Sequence, residues 1–397
     1  MRQEHTYPVE LISKHIRLKS FVGGKVLKQL SLRPVIYKYN TVEEFCKIFK
    51  IGKGDLIITN EFIYNPLFEK LGLETKVVFQ EKYGLGEPTD EIIENIYIDL
   101  IGIEYKRVIG IGGGTVLDIS KIFALKNVSP VIKLFDKKLE IIKNKELVLL
   151  PTTCGTGSEV TNIAILEFIS RKTKLGLASD EMYADSAIII PELLYSLPYE
   201  FFATSSIDAF IHAAESYVSP KATQYTDLYS LEAIKIIISG YKRITEVGKD
   251  GRIPILENFL IASNFAGIAF SNAGVGAVHA MSYPFGGLYH IPHGEANYVF
   301  FTEIFRTYTS LKPKGKIYKL NNFLAKYLEC DVKSVYNELD ILLDNILKKR
   351  SLHEYGVTDD ELLKFTKNVT TMQSRLTANN YVTLDFNRIY TIYRNLM

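Results

Sequence analysis

The chain of 397 residues is too long for one ordinary hydrophobic core and predicts two domains. Its 47 basic and 45 acidic residues nearly cancel, which argues against nucleic acid or a membrane surface as its main partner. The three cysteines are scattered and form no CxxC pair, which argues against a disulfide framework or a structural zinc cluster. The N-terminal segment with His5 and Arg17 contains no uninterrupted apolar stretch, so we expect a cytoplasmic protein without a signal peptide or a transmembrane helix.

Short apolar runs alternate with amphipathic helical patterns between Val35 and about Ile190. Continuous apolar strands separated by helices predict a parallel sheet that is covered on both faces. The predicted strands are 55–59, 76–79, 107–111, 146–150 and 186–190. Two further apolar runs flank the polar residues 170–173 and predict a β-hairpin within residues 162–179.

Helical periodicity replaces the strand pattern from Ser205 to the C-terminus, for example over 232–243 and 316–328. We therefore predict an α/β domain with a parallel sheet over residues 1–197, followed by an all-α domain over residues 198–397. A run of small residues over 262–280 predicts a closely packed helix that ends before Pro284, with His279 in its last turns.

The glycine-rich segment Gly112-Gly113-Gly114-Thr115 follows the predicted strand 107–111. Glycines between a buried strand and a helix let backbone N–H groups approach a phosphate, and the helix N-terminus adds its positive dipole end. A dinucleotide pyrophosphate fits there. Thr115 stands where the GxGxxG fingerprint has its third glycine, so a tight strand-to-helix turn without a ligand is the alternative.

A second polar loop, Pro-Thr-Thr-Cys-Gly-Thr-Gly-Ser-Glu-Val-Thr over residues 151–161, follows the strand 146–150. Small hydroxyl groups and glycines suit a surface that touches the ribose, amide or phosphates of a cofactor. Parallel sheets bind ligands at the carboxyl ends of their strands, where both loops are expected to lie.

Four side chains in the second half form the pattern of a metal site. Asp208 and His212 are four residues apart on a predicted helix, so both side chains can reach one ion. This pair alone occurs more often on a solvated helix face. His279 and His293 would complete a shell of four ligands, and an aspartate with several histidines in one such window is typical of metal sites.

Together these motifs resemble, in order and across most of the chain, the iron-containing (group III) alcohol dehydrogenase family. The residues that carry the resemblance are Gly112-Gly-Gly-Thr115-x-x-Asp118, Pro151-Thr-Thr-x-Gly-Thr-Gly-Ser-Glu159, Asp208-Ala-x-x-x-His212, His279 and His293-Gly294. More narrowly, segments 52–62, 78–88 and 267–277 are similar to the bacterial branch of that family that acts on 4-hydroxybutyrate. The resemblance implies a dehydroquinate synthase-like architecture.

The resemblance also implies a set of cofactor contacts. It implies Fe²⁺ bound by Asp208, His212, His279 and His293, although three imidazoles and a carboxylate suit Zn²⁺ equally well. It implies NAD as the second cofactor. The implied NAD contacts are the pyrophosphate loop Gly112, Gly113, Gly114 and Thr115 with Asp118, the loop threonines Thr152, Thr153, Thr156 and Thr161, Lys174 near the ribose, and Asn60 at the ribose hydroxyl. Many family members have an aspartate at position 60, and its negative charge repels the 2′-phosphate of NADP. Asn60 is neutral and lacks that repulsion.

The resemblance implies the reaction 4-hydroxybutyrate + NAD⁺ ⇌ succinate semialdehyde + NADH + H⁺, with the metal as a Lewis acid. The partner would be a small hydroxy acid or aldehyde acid, and we expect a homo-oligomer. Alternatives are a broader primary alcohol or diol dehydrogenase of the same family, and a lyase or synthase on the related scaffold. A non-catalytic binding protein is disfavoured because all four ligand positions are filled.

Two residues are candidates for proton transfer. Many family members carry a second histidine four residues after the third ligand, where this chain has Tyr283. An unperturbed phenol titrates near ~10, so Tyr283 is the poorer proton carrier near neutrality. The second candidate is His290, which we hypothesise lies near the substrate and takes over proton relay or contacts the substrate carboxylate. The alternative is that His290 is a surface histidine in a turn.

Overall fold

The computed structural model describes residues 28–171 and 173–397. The predicted absence of a signal peptide concerns the first residues and lies outside the described part of the chain, as does Lys172 in the predicted hairpin turn.

Six parallel strands form the sheet of the first half, in the spatial order β1-β8-β5-β4-β2-β3, and two more form an antiparallel hairpin, β6-β7. Their bounds are β1 (Val35–Lys38), β2 (Asp55–Thr59), β3 (Lys76–Phe79), β4 (Arg107–Gly112), β5 (Glu146–Pro151), β6 (Ile163–Phe168), β7 (Thr173–Ala178) and β8 (Ser186–Ile189). The central strands are buried on both faces, as their uninterrupted apolar sequences require. The predicted parallel sheet and the hairpin are both confirmed.

Short helices connect and cover these strands. They are α1 (Val42–Ile48), α2 (Glu61–Leu67), α3 (Asp90–Asp99), α4 (Gly114–Phe123) and α5 (Val131–Phe135). Thr41 and Thr89 begin α1 and α3 by accepting hydrogen bonds from backbone N–H groups of the first turn. The helix α4 starts directly after β4, so its N-terminus lies at the carboxyl edge of the sheet.

The second half is helical in the part of the chain that the structure describes, as predicted. Its helices are α6 (Tyr199–Val218), α7 (Gln224–Val247), α8 (Leu256–Ala273), α9 (Ala277–Tyr289), α10 (His293–Leu311), α11 (Lys316–Leu328), α12 (Val335–Ile346), α13 (Asp359–Met372), α14 (Ser374–Thr377) and α15 (Phe386–Asn395). The helix α6 is buried from Ser206 to Val218 and packs against α7, α8 and α10. The helical stretch Lys249–Ala273 is long enough to span a membrane and contains an 18-residue window of sufficient hydropathy, and 56% of that window is buried within the protein. The change from strands to helices occurs between Ile189 and Tyr199; a domain boundary near Leu197 stays a prediction.

The prediction of one helix over 262–280 is wrong. α8 ends at Ala273, and α9 begins at Ala277, so His279 lies in a first turn and Pro284 lies inside a helix. Gly274, with a φ of +76°, and Gly276 make the break, and a Cβ on either would lie 2.8 Å from an asparagine side-chain atom. Small residues favour close packing, which two separate helices satisfy as well as one.

Glycine contacts join the sheet to the helical half. Gly157, in the loop after β5, has a φ of +55°, and a Cβ there would lie 2.5 Å from the Cα of Gly267 on α8. A Cβ on Gly155 would lie 2.8 Å from Ser205 on α6. The loop therefore fits only because these positions carry no side chain, and it brings the carboxyl end of β5 against α6 and α8.

Candidate active site

A cavity of about 430 Å³ lies where the loops after β4 and β5 meet α6, α8 and α9. Gly114, Thr115 and Thr156 line it from the sheet side, and Asp208 and His212 line it from α6. The predicted cofactor loops and the predicted metal ligands therefore open into one common space, at the carboxyl edge of the parallel sheet.

The four predicted metal ligands converge on one point of this cavity. Asp208 and His212 come from the middle of α6, His279 from the first turn of α9, and His293 is the first residue of α10. One ligand atom from each lies within 4.8 Å of the others. Asp208 Oδ1 is 3.9 Å from His279 Nε2 and 3.8 Å from His293 Nε2. Asp208, His212 and His279 are buried, and His293 is partly exposed to the cavity.

The donor set fits a divalent metal ion. Asn297 Nδ2 lies 2.8 Å from Asp208 Oδ1, 3.2 Å from His279 Nε2 and 3.1 Å from His293 Nε2. An amide nitrogen has two hydrogens, so it cannot satisfy three acceptors at once. A cation satisfies all of them together, and three imidazoles with one carboxylate suit Fe²⁺ or Zn²⁺.

The electrostatics of the cluster favour the protonation states that bind a metal. Burial alone would raise the pKa of Asp208, but its three histidine neighbours outweigh burial and lower that pKa below the ordinary value. Burial lowers the pKa of His212 to about 3 and also lowers the pKa of His293. An ionised carboxylate beside neutral imidazoles is the form in which these groups coordinate.

Neighbouring groups orient the ligands. Glu215 Oε2 lies 2.5 Å from His279 Nδ1, so the other ring nitrogen of His279 faces Asp208. The His212 ring stacks on Phe270, with ring centroids 4.3 Å apart. A Cβ on Gly294 would lie 2.0 Å from the carbonyl oxygen of Thr204, so only glycine lets α10 start close enough to α6.

The glycine loop can hold a phosphate. No side chain of the described residues caps the N-terminus of α4, where Gly113 is the N-cap. A Cβ on Gly112 would lie 2.5 Å from Val116, and one on Gly114 would lie 2.8 Å from Thr156. The free N–H groups of the first turn therefore face a loop that glycine keeps open. The hydroxyl of Thr115 donates to the carbonyl oxygen of Gly86 across the cavity rim.

Asp118 and Thr161 belong to a buried network beneath the cavity. The ammonium of Lys121 donates to Asp118 Oδ1 at 3.1 Å, Ser158 Oγ at 2.5 Å and Thr161 Oγ1 at 2.9 Å. Burial lowers the pKa of Lys121, while Asp118 opposes that shift. Asp118 and Thr161 thus help to hold α4 against the loop after β5, in addition to lining the cavity.

Of the remaining cofactor contacts predicted on the sheet side, some line the cavity and others do not. Thr156 and Lys174 line the cavity, and Lys174 forms an ion pair with Glu87 at 2.7 Å. Thr152 is buried, with its backbone N–H bonded to the carbonyl oxygen of Gly112, and Thr153 packs against Gly113. Neither Thr152 nor Thr153 is among the described residues that line the cavity.

Asn60 lies one strand away from the glycine loop. β2 pairs with β4, and Thr59 bonds the carbonyl oxygen of Ile111, so Asn60 follows at the level of Gly112. The Asn60 amide donates to Glu81 Oε2 at 2.9 Å. Glu81 therefore places a carboxylate beside Asn60, at the end of β2, where many family members have an aspartate.

Tyr283 and His290 occupy different places. Tyr283 lines the cavity, with its ring 5.8 Å from the His293 ring. Burial raises the pKa of Tyr283 to about 12. His290 is exposed at the C-terminal cap of α9, with a left-handed φ of +52°, and is not among the described residues that line the cavity. This position favours the surface alternative for His290.

Sequence analysis assigned no role to several residues at this site: Glu81, Lys121, Glu215, Asn297 and Arg375. Glu215 had a signal, because it lies one turn after His212 on the same stripe of α6. Asn297 lies one turn after His293, which is the same kind of signal. The other three become neighbours of the site only through contacts between distant segments.

Two family models match the chain: iron-containing alcohol dehydrogenase over residues 33–191, and the C-terminal part of the Fe-containing alcohol dehydrogenase family over residues 202–397. The 4-hydroxybutyrate dehydrogenase of Clostridium kluyveri is 53% identical over 93% of this chain and 100% of its own length. Long-chain-alcohol dehydrogenase 1 of Geobacillus thermodenitrificans is 32% identical over 87% of this chain and 90% of its own.

Solved structures share the fold. 1,3-Propanediol oxidoreductase superposes with a TM-score of 0.80 at 22% identity and covers 94% of this chain and 100% of its own. The sulfoacetaldehyde reductase of Bifidobacterium kashiwanohense, solved in complex with NAD⁺, superposes with a TM-score of 0.81 at 20% identity and covers 94% and 99%. The predicted two-part architecture, a parallel sheet followed by helices, is that of these enzymes.

Proposed function

The chain belongs to the iron-containing alcohol dehydrogenase family and is a metal-dependent alcohol oxidoreductase, and within that family we propose that it interconverts 4-hydroxybutyrate and succinate semialdehyde with NAD. The observation that carries the proposal is the cavity in which Asp208 and three histidines face the glycine loop of α4. The 53% identity to an enzyme named for this substrate supports the choice of substrate.

Asp208, His212, His279 and His293 would hold the metal, which we propose to be Fe²⁺, with Zn²⁺ as the second candidate. When bound, such an ion supplies Lewis-acid polarisation of the substrate oxygen. Glu215 fixes the ring of His279 with Nε2 toward Asp208, and burial keeps His212 neutral, so His212 is ready to coordinate without a proton being removed first. Asn297 would then turn its amide toward Asp208 alone.

The sheet side would hold NAD. The N-terminus of α4, together with Gly112 and Gly114, suits the pyrophosphate. The carboxylate of Glu81, held by Asn60 at the end of β2, would accept a ribose hydroxyl and repel a 2′-phosphate. We therefore propose NAD over NADP, on the charge of Glu81 rather than on Asn60 itself.

Tyr283 places a phenol hydroxyl in the cavity beside the metal cluster. Its pKa of about 12 keeps the phenol protonated at neutral pH, so it donates a hydrogen bond toward the substrate space and does not act as a base there. No hydrogen bond joins this hydroxyl to another residue of the described chain, so it is available to a ligand. His290 has no part in this proposal.

The test is to purify the enzyme anaerobically with Fe²⁺ and to follow NADH absorbance with 4-hydroxybutyrate, 1-butanol and 1,3-propanediol in parallel. We expect the highest kcat/KM with 4-hydroxybutyrate. Equal or higher efficiency with the uncharged alcohols would assign the chain to the broader alcohol or diol dehydrogenases. Consumption of substrate without net NADH production would indicate a lyase or synthase. A cytoplasmic location and a homo-oligomeric state also remain proposals.

A further inference from the structure

Arg375 brings a guanidinium to the cavity from α14, on the side that α9 forms. It is exposed to this space and has no hydrogen bond or ion pair with any residue that the structure describes. A guanidinium stays charged at every physiological pH, and its planar N–H groups match the two oxygens of a carboxylate. Arg375 is therefore available to an anionic ligand.

The guanidinium shares a cavity with the metal cluster. α14 packs against α9, the helix that carries His279 and Tyr283. Arg375, Tyr283 and His293 all line the same cavity. The Tyr283 ring in turn contacts the His293 ring. A small molecule in this cavity therefore has access both to the cluster and to Arg375.

The segment that carries Arg375 is anchored. Leu376 is buried, and the amide of Asn379 donates to the carbonyl oxygens of Ala273 at 2.9 Å and Val275 at 3.2 Å. Ser219, at the end of α6, donates to Asn379 Oδ1 at 3.1 Å. These bonds fix α14 to the junction of α8 and α9, so a ligand would not have to order this part of the backbone on binding.

The other charges that line the cavity are mostly paired. Lys174 pairs with Glu87, and Asp118 pairs with the buried Lys121. Besides Arg375, the cavity contains Lys221, whose ammonium has no partner within the described residues. These two unpaired positive charges, on Arg375 and Lys221, favour an anionic substrate over a neutral alcohol.

We propose that Arg375 binds the carboxylate of the substrate, and so selects ω-hydroxy acids and their aldehyde acids over simple alcohols and diols. The inference rests on the proposed function and deepens it. 4-Hydroxybutyrate has its hydroxyl and its carboxylate at opposite ends of a short flexible chain, which suits the metal cluster at one end and Arg375 at the other. Lys221 adds attraction without the paired N–H geometry.

The test compares Arg375→Met and Arg375→Lys with the parent enzyme, each loaded with Fe²⁺, on 4-hydroxybutyrate and on 1,4-butanediol. The diol has the same number of carbons, with a neutral CH₂OH group in place of the carboxylate. We expect Arg375→Met to lower kcat/KM for the acid by about 10- to 100-fold, mainly through KM. Efficiency on the diol should stay within about twofold, and Arg375→Lys should lie between. Arg394→Met, on an exposed residue of α15, is the matched control.

A binding measurement avoids turnover altogether. Butyrate carries the carboxylate without the reacting hydroxyl, and its affinity by calorimetry should fall about 10-fold or more in Arg375→Met. Equal losses on acid and diol would overturn the proposal in favour of a structural role. A weakened affinity for NAD⁺ with an unchanged acid-to-diol ratio would assign the guanidinium to the dinucleotide phosphates instead.

The remaining outcomes separate this inference from the proposed function. If Lys221→Met loses the acid preference and Arg375→Met keeps it, Lys221 is the anchor and the inference fails. A parent enzyme that prefers the diol contradicts the proposed function. A parent enzyme that prefers the acid, together with an Arg375→Met variant that retains this preference, contradicts only the role of Arg375.

Discussion

Glu215 Oε2 lies 2.5 Å from His279 Nδ1, and Glu215 Oε1 accepts a hydrogen bond of 2.8 Å from the backbone N–H of Val278. One buried carboxylate therefore begins α9 and orients a metal ligand at the same time. Glu215→Gln should lower metal affinity by about 10- to 100-fold, because the amide is a weaker partner for the ring. Metal retained after dialysis against a chelator is the measurement. Glu200→Gln, on the exposed start of α6, should retain the parent content.

Replacement of His279 by alanine should abolish activity and lower the bound metal, because it removes one of four ligands. Binding of NADH should change little, since the glycine loop of α4 and the loop after β5 lie on the sheet side of the cavity. Elemental analysis and NADH fluorescence titration on the same preparation check both parts. Full turnover by a metal-free preparation would contradict the role of the cluster.

Tyr283→Phe and His290→Gln form a pair with opposite expected results. Tyr283→Phe should lower kcat by about 10-fold or more with unchanged metal content, because it removes the hydroxyl that faces the substrate space. His290→Gln should keep kcat within about twofold, because the ring is exposed outside the cavity. A loss of roughly 10²-fold in His290→Gln, with normal metal content, would restore the proton-relay hypothesis.

Glu81→Gln should raise kcat/KM with NADP by about 10-fold relative to NAD, since it removes the carboxylate that would repel a 2′-phosphate. Asn60→Asp should shift the ratio in the other direction by adding a charge at the same strand end. Initial rates with both dinucleotides give the ratio. Glu69→Gln, exposed between β2 and β3, should leave it unchanged. An efficiency with NADP equal to that with NAD in the parent enzyme would refute the preference itself.

Gly157→Ala tests the contact between the loop after β5 and α8. Gly157 and Gly72 have nearly the same left-handed φ, +55° and +58°, but a Cβ on Gly72 would meet nothing within 4 Å. Gly72→Ala should therefore cost only the conformational term of about 1–2 kcal/mol. Gly157→Ala should lower the free energy of unfolding by about 1–3 kcal/mol more, because the methyl group meets the backbone of Gly267. Denaturant unfolding of both variants measures the difference, and equal costs would contradict the close contact.

Local sequence patterns determined much of the fold. Continuous apolar runs predict five of the six strands of the sheet to within a residue or so, because a strand that is buried on both faces must be apolar throughout. They do not predict β1, whose four residues are exposed. The loop glycines and the Asp208–His212 spacing also have local causes, namely close backbone approach and the periodicity of one helix. Local patterns could not divide the small-residue run over 262–280, because Gly274 and Gly276 break the helix through contacts with Asn379 and Asn380, about 100 residues away.

The tertiary structure alone decided which polar groups become partners. Nothing near Lys121 in the sequence shows that its ammonium is buried against the loop after β5, and nothing near Glu81 shows that it reaches Asn60. Arg375 is an ordinary surface arginine by its sequence context, and it becomes a candidate substrate anchor because Asn379 ties its short helix to the junction of α8 and α9. Such pairings depend on how distant elements pack, and a side chain without a partner is recognisable only after all of its neighbours are in place.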